Sequence, residues 1–236
     1  MSQPDFLRMD EASLRAFRRA LRERLVAARL QLSAAALNAH REAIDRHLEL
    51  GFPGLATGIV GVCWPYRNEY DARFLARRLR ERGVRTALPV VLGPRRALVF
   101  REWQPGVRLA RGVYDIPYPA DTPEVVPRAL IVPMNGFDAA GYRLGYGGGF
   151  FDRTLAALRS AGHRVTAIGV AYEQARVSEL HPQPYDVPMD FVVTERGVYE
   201  RHDGMLAFLG APAAREPSAR ASPVCYAAEI DPRYFG

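Results

Sequence analysis

The sequence predicts an α/β fold, an open, mainly parallel sheet flanked by helices in three layers. Three observations predict it. Short apolar runs at residues 57–64, 129–132 and 165–172 have the length and content of strands, and the first, apolar with two glycines, reads as a buried parallel one. Between the runs lie segments whose apolar residues recur at helical spacing, and alternation of the two kinds generates parallel sheets. Directly after 129–132 the chain reads PMNGFDAAGYRLGYGGGFFDR, then carries apolar residues at Phe150, Phe151, Leu155 and Leu158. A glycine loop therefore joins a strand to a helix.

A chain of 236 residues suffices for one substantial core and is short for two. Residues 1–200 are expected to form that domain and residues 201–236 a partly flexible C-terminal extension. The N-terminus lacks the apolar stretch of a signal peptide and nothing approaches a membrane span, so a cytoplasmic protein without a membrane partner is expected. Cys63 and Cys225 lie too far apart in sequence to suggest a metal cluster or disulfide framework. The formal net charge is +6 and every basic side chain that is not histidine is arginine. The charge suits anionic ligands, small or polymeric. The absence of lysine excludes Schiff-base and pyridoxal phosphate chemistry.

Taken in order, residues 11–30 place Leu14, Leu21, Leu25 and Ala28 on one helical face and Arg15, Arg18, Arg19 and Arg22 on another. The arginine stripe supplies charge to phosphates at the glycine loop, contacts an RNA backbone, or stays solvated. A second helix starts at the N-cap Ser33, runs to Leu50 and stops at Gly51 and Pro53. Strand 57–64 leads into CWPYRNEYD. Ligands of open α/β sheets gather at the carboxyl ends of strands, so Trp64, Tyr66 and Glu69 sit where a flat heterocycle can be held. The Glu69 carboxylate either accepts hydrogen bonds from the edge of such a heterocycle or is an acid ahead of the helix at 71–82. Gly83 ends that helix; strands follow at 85–91 and 97–103, then a Pro105-Gly106 turn and a loop with Tyr114. Strand 165–172 and a last short strand at 191–194 complete the domain. From about residue 201 the composition turns polar and proline-containing, as in APAAREPSARASP, and reads as a linker or tail. Its end, PVCYAAEIDPRYFG, regains apolar residues that suit docking on the body or on a second subunit. The histidines show no ligand spacing.

The glycine loop carries the chemistry. The first turn of a helix leaves N–H groups without intrahelical partners, and the helix dipole adds partial positive charge there. Gly145, Gly147, Gly148 and Gly149 let an anion, most simply phosphate, approach those amides. Arg143 and Arg153 add charge and paired donors. Asp152 has the opposite sign: it either shares Mg²⁺ with a polyphosphate or stabilises the helix start. Asp138 and Gly141 read as a turn. The run is neither GxGxxG, since position 150 is Phe, nor a Walker A loop, since no Gly-Lys-Ser/Thr follows.

The string RLGYGGGFFDR, preceded by a strand ending in Val-Pro and by Phe-Asp-x-x-Gly, resembles the signature of the 5-formyltetrahydrofolate cyclo-ligases, also called methenyltetrahydrofolate synthetases. WPYRNEYD resembles the family's Glu-x-Asp element, ALPVV its Leu-Pro-Val strand, VYDIPYP its Ile-x-x-Pro turn and VVTERG its closing strand. The likeness covers roughly residues 14–198. It implies a cyclo-ligase-like fold in which Arg143, Gly145, Tyr146, Gly147, Gly148, Gly149, Phe150 and Phe151 bind ATP and Asp152 binds Mg²⁺. It further implies that Arg143 and Asp152 serve catalysis, and that Glu69, Tyr114, Trp64, Phe150 and Phe151 hold the folate. The family's N-terminal Lys-x-x-x-Arg pair matches Leu14 and Arg18, with Arg15 replacing the lysine, and Phe150 and Phe151 stand where the family has tyrosines. The implied reaction converts 5-formyltetrahydrofolate and ATP to 5,10-methenyltetrahydrofolate, ADP and phosphate, in a monomer or weak homodimer with no call for a nucleic-acid partner. A non-catalytic relative that uses the arginine helix to bind RNA or a regulatory nucleotide is the alternative.

Overall fold

The computed structural model describes residues 9–213. Four α-helices are present among them: α1 (Glu11–Leu30), α2 (Ala34–Gly51), α3 (Ala72–Glu81) and α4 (Phe150–Ser160). The strands are β1 (Ile59–Gly61), β2 (Arg85–Val90), β3 (Val99–Glu102), β4 (Leu109–Arg111), β5 (Pro117–Pro119), β6 (Glu124–Val125), β7 (Ala129–Pro133), β8 (Gly136–Phe137), β9 (Arg143–Leu144), β10 (Thr166–Val170), β11 (Phe191–Thr194), β12 (Gly197–His202) and β13 (Met205–Gly210). Local chemistry sets several boundaries. Asp10, Ser33 and Asp71 cap α1, α2 and α3 by accepting backbone N–H groups of the first turns, as short polar N-cap side chains do.

Nine strands form one sheet in the order β13-β12-β11-β10-β7-β1-β2-β3-β6. Its centre, β11-β10-β7-β1-β2, is parallel; β12 and β13 on one side and β3 and β6 on the other are antiparallel. Alternate residues of β7 separate the layers. Ile131 packs with Ile44 and Leu48 of α2 and Leu75 and Leu79 of α3, whereas Leu130 and Val132 pack with Leu155 of α4. Leu155 is fully buried, a contribution of about 2 kcal/mol for a leucine side chain. Helix α1 joins a third cluster, Leu21 and Leu25 with Leu144 and Leu180, which sets it beside the glycine loop.

Three sequence expectations change. Strand 191–194 is not the last, and the boundary at residue 200 falls inside β12, since the β12–β13 hairpin carries the sheet to Gly210. The turn is Asp203-Gly204, both at positive φ (47° and 84°), the pairing that a two-residue hairpin of right-handed twist requires. The expected strand at 57–64 is shorter, pairing only over Ile59–Gly61, after which the chain leaves the sheet toward Glu69. The readings of Cys225 and of residues 214–236 lie outside the described residues.

Candidate active site

The carboxyl ends of neighbouring parallel strands β7, β1 and β2 lead to Pro133, to Cys63, Trp64, Tyr66 and Glu69, and to Val91. There the sheet opens on a cavity of about 750 Å³ lined by the whole glycine loop and by Glu69, Trp64, Arg15, Arg18 and Arg22. Position at strand carboxyl ends is where ligands of open α/β sheets bind.

The loop runs from β9 into α4. Gly149 caps α4 in the left-handed region at φ 62°, with no side chain bonding the first-turn amides. Gly147 has φ 90°, and a Cβ at Gly148 would come within 2.7 Å of the Phe150 ring. The backbone thus takes a form that only glycines hold without strain, and it leaves amides open to the cavity. Arg153 Nη2 folds back to donate to Gly148 O, and Thr154 Oγ1 accepts from Leu98 N at 2.8 Å, tying the start of α4 to the β2–β3 connection.

Arg143 and Asp152 meet at the rear of the loop. Arg143 Nη2 lies 2.8 Å from Asp152 Oδ2; Arg143 Nη1 donates to Val187 O at 2.9 Å, and Asp152 Oδ1 accepts from Val187 N at 3.0 Å. Both side chains grip one peptide segment. Burial pushes the Arg143 guanidinium below its usual range, while the Asp152 carboxylate works in the opposite direction.

The arginine stripe divides. Arg18 Nε donates to Leu180 O at 3.1 Å, and its Nη2 to His181 O at 2.9 Å and Asp186 Oδ2 at 2.7 Å. Arg22 Nε donates to Gly145 O at 2.6 Å. Arg15 pairs with Glu11 on the exposed surface at the cavity's edge, and exposed Arg19 does not line it.

The opposite wall holds Glu69, whose side chain is nearly buried and accepts from Tyr66 N at 3.1 Å. Burial pushes its carboxyl up to about 7, opposed by the Arg29 charge, the Tyr66 N–H and a hydrogen bond from Tyr146. Trp64 stands edge-on to Trp103 with ring centres 6.0 Å apart, and Tyr66 meets Tyr146 at 5.5 Å. Phe150 and Phe151 line the same space. Tyr114 lies in a 3-10 turn, Val113–Asp115, and its side chain is outside those described. Burial beside Glu69 raises the Cys63 thiol well above its usual range, so it is an inert thiol.

Sequence reasoning missed Arg29, Arg22's contact and the Val187 segment. Arg29 lies four residues after Leu25, on the apolar face of α1, and a charge on that face was a readable signal. No local pattern marks Val187.

Fold and cavity define an α/β protein with a concave site that joins a glycine loop at a helix start to a buried carboxylate. The chain belongs to the 5-formyltetrahydrofolate cyclo-ligase family, whose sequence model matches residues 15–195. It is 34% identical over 155 residues to the 5-formyltetrahydrofolate cyclo-ligase of Escherichia coli K12, covering 63% of this chain and 84% of that one. The enzyme of that name from Mycolicibacterium smegmatis is 32% identical over 143 residues, 57% of this chain and 72% of the relative. The structure of Aquifex aeolicus 5,10-methenyltetrahydrofolate synthetase superposes with a TM-score of 0.68 at 25% identity, over 86% of this chain and 99% of that chain. The Mycoplasma pneumoniae synthetase, at 23% identity and TM-score 0.61 over 75% and 98% of the two chains, shares the fold. Family membership makes this an enzyme, a ligase of folate one-carbon metabolism, and disfavours the RNA-binding reading of α1. No described helix is long and apolar enough to cross a membrane.

Proposed function

We propose that the enzyme converts 5-formyltetrahydrofolate and ATP to 5,10-methenyltetrahydrofolate, ADP and phosphate. The observation that carries this reading is that the amides of the glycine loop and the Glu69 carboxylate line one cavity, so a polyphosphate at the loop and a pterin at Glu69 would share it. The formyl oxygen attacks the γ-phosphorus and ADP leaves; the neighbouring arylamine nitrogen attacks the activated carbon, loses its proton, and phosphate departs. Such transfer depends on positioning and charge neutralisation more than on covalent help from the protein, in keeping with a wall of arginines, backbone amides and aromatic rings.

Among the described residues no group of three or more His, Cys, Asp or Glu side chains is placed to hold a metal. The single Asp152 carboxylate that lines the cavity beside the loop fits Mg²⁺, which is commonly bound by one or two carboxylates plus substrate phosphates and water. Asp152 would hold it through the carboxylate lone pairs left beside Arg143 and Val187, where it would supply neutralisation of phosphoryl charge. Arg143 fixes Asp152 at the loop, Glu69 orients the pterin, and Trp64, Phe150 and Phe151 exclude water around it. The test is the near-ultraviolet rise of the methenyl product from 5-formyltetrahydrofolate. A rise requiring both ATP and Mg²⁺ supports the reading; a flat trace from folded protein overturns it.

A further inference from the structure

Arg29 is the one arginine of α1 among the buried residues, at 6% exposure. A guanidinium is costly to bury unless its donors are met. Here each of the three nitrogens makes a bond: Nε donates to Arg67 O at 2.8 Å, Nη1 to Asn135 Oδ1 at 3.0 Å and Nη2 to Tyr146 Oη at 3.0 Å. Asn135 is 2% exposed, and its Nδ2 has no partner among the described residues. An arginine cannot accept, so the contact with Nη1 fixes the orientation of the amide. Among the described residues the hydrogen bond of this buried side chain is the one to Arg29. Tyr146 receives the Arg29 bond and in turn hydrogen-bonds Glu69. The order is guanidinium, phenol hydroxyl, carboxylate, each donating to the next, and such chains strengthen their members by polarisation.

We propose that Arg29 is a positioning residue of the folate subsite, acting through Tyr146 Oη to fix the Glu69 carboxylate and thereby tying the glycine loop to that subsite. The inference rests on Glu69 being the folate carboxylate. Four groups face Glu69 from the elements around it: Arg29 from α1, Tyr146 from the glycine loop, Cys63 after β1 and Tyr172 after β10. Arg29 alone among them is a cation. It opposes the burial that pushes the Glu69 carboxyl up, so removing it moves the titration of Glu69 to higher pH.

The experiment is steady-state turnover at saturating MgATP with varied 5-formyltetrahydrofolate, from pH 6 to 9, for Arg29→Gln, Arg29→Lys, Tyr146→Phe, the Arg29→Gln/Tyr146→Phe pair and Glu69→Gln. Arg29→Gln is expected to raise the folate KM about tenfold, the scale of one charge-assisted hydrogen bond, and to move the acid limb of kcat/KM upward. Arg29→Lys keeps the charge and should leave that limb near the parent's. Tyr146→Phe keeps the ring, removes the relaying hydroxyl, and should shift KM and limb the same way, with no further loss in the double variant. An unshifted limb and unchanged folate KM in both Arg29→Gln and Tyr146→Phe, while Glu69→Gln still raises KM, overturns the inference alone. An unchanged KM in Glu69→Gln overturns the folate reading as well. Should Arg29→Gln fail to fold, Tyr146→Phe decides.

Discussion

Asp152 Oδ2 lies 2.8 Å from Arg143 Nη2, so a carboxylate and a guanidinium expected to face a metal and a phosphate separately are also each other's partner. The pair stands against Val187: Arg143 donates to its C=O and Asp152 accepts from its N–H. Its geometry therefore serves two purposes, holding the wall of the cavity and presenting charge to it. Removing Asp152 leaves a guanidinium with 6% of its side chain exposed and only the more distant charge of Asp186 to oppose it. Breaking a buried pair costs about 3 kcal/mol, or about 10 °C in Tm for a chain of this size. Asp152→Ala should show that drop in thermal denaturation together with a loss of turnover of at least about hundredfold. Full turnover at parental Tm would show that Asp152 is neither.

The carboxyl of Glu69 gives a second prediction, on stability. Burial raises it to about 7, so between the unfolded value near 4.5 and about 7 the folded state binds the proton more tightly. Stability from this group is present below the unfolded value and is lost as pH rises through about 7. The span corresponds to about 3 kcal/mol. Glu69→Gln removes the titration. It should melt higher than the parent at pH 8 while binding 5-formyltetrahydrofolate more weakly, a reversal that would not occur were Glu69 a surface acid; equal melting temperatures at pH 8 would count against the burial argument.

Gly147 makes the third. Its φ of 90° lies where an L side chain is disfavoured by about 1–2 kcal/mol, and a Cβ there would come to 3.5 Å from Arg22 Nη2, ordinary contact. The cost of Gly147→Ala is thus backbone strain at the loop rather than collision. A modest fall in Tm should accompany a rise in the ATP KM well above that in the folate KM. Equal changes in both constants would mean the loop does not serve the nucleotide.

The parts of this molecule that were legible in the sequence are those set by neighbours in the chain. Ser33 and Asp71 announce helix starts because an N-cap bonds amides two or three residues away. The glycine loop is legible because its strand, turn and helix are consecutive. The β12–β13 hairpin was hidden by reading composition across Asp203-Gly204 instead of reading the turn. Asn135 and Val187 were not legible at all: each gains its part from side chains that approach from far along the chain, Arg29 and Arg143 respectively.

The last prediction separates two arginines of α1. By resemblance Arg15 replaces a family lysine at ATP, and both Arg15 and Arg22 line the cavity. Their local settings differ. Arg15 pairs with Glu11 with 67% and 80% of the side chains exposed, and exposed pairs of this kind contribute about 0–1 kcal/mol. Arg22 is half-buried and donates through Nε to Gly145 O at 2.6 Å. That bond holds the first glycine of the loop in place, so losing it lets the amides around a phosphate drift, and a small misplacement costs much where catalysis depends on positioning. Arg22→Gln should raise the ATP KM about tenfold and lower kcat, whereas Arg15→Gln should change the ATP KM by no more than about threefold, the scale of an exposed charge. Measured with ATP varied at saturating folate, the reverse ranking would make Arg15 the phosphate contact and leave Arg22 as packing for the loop.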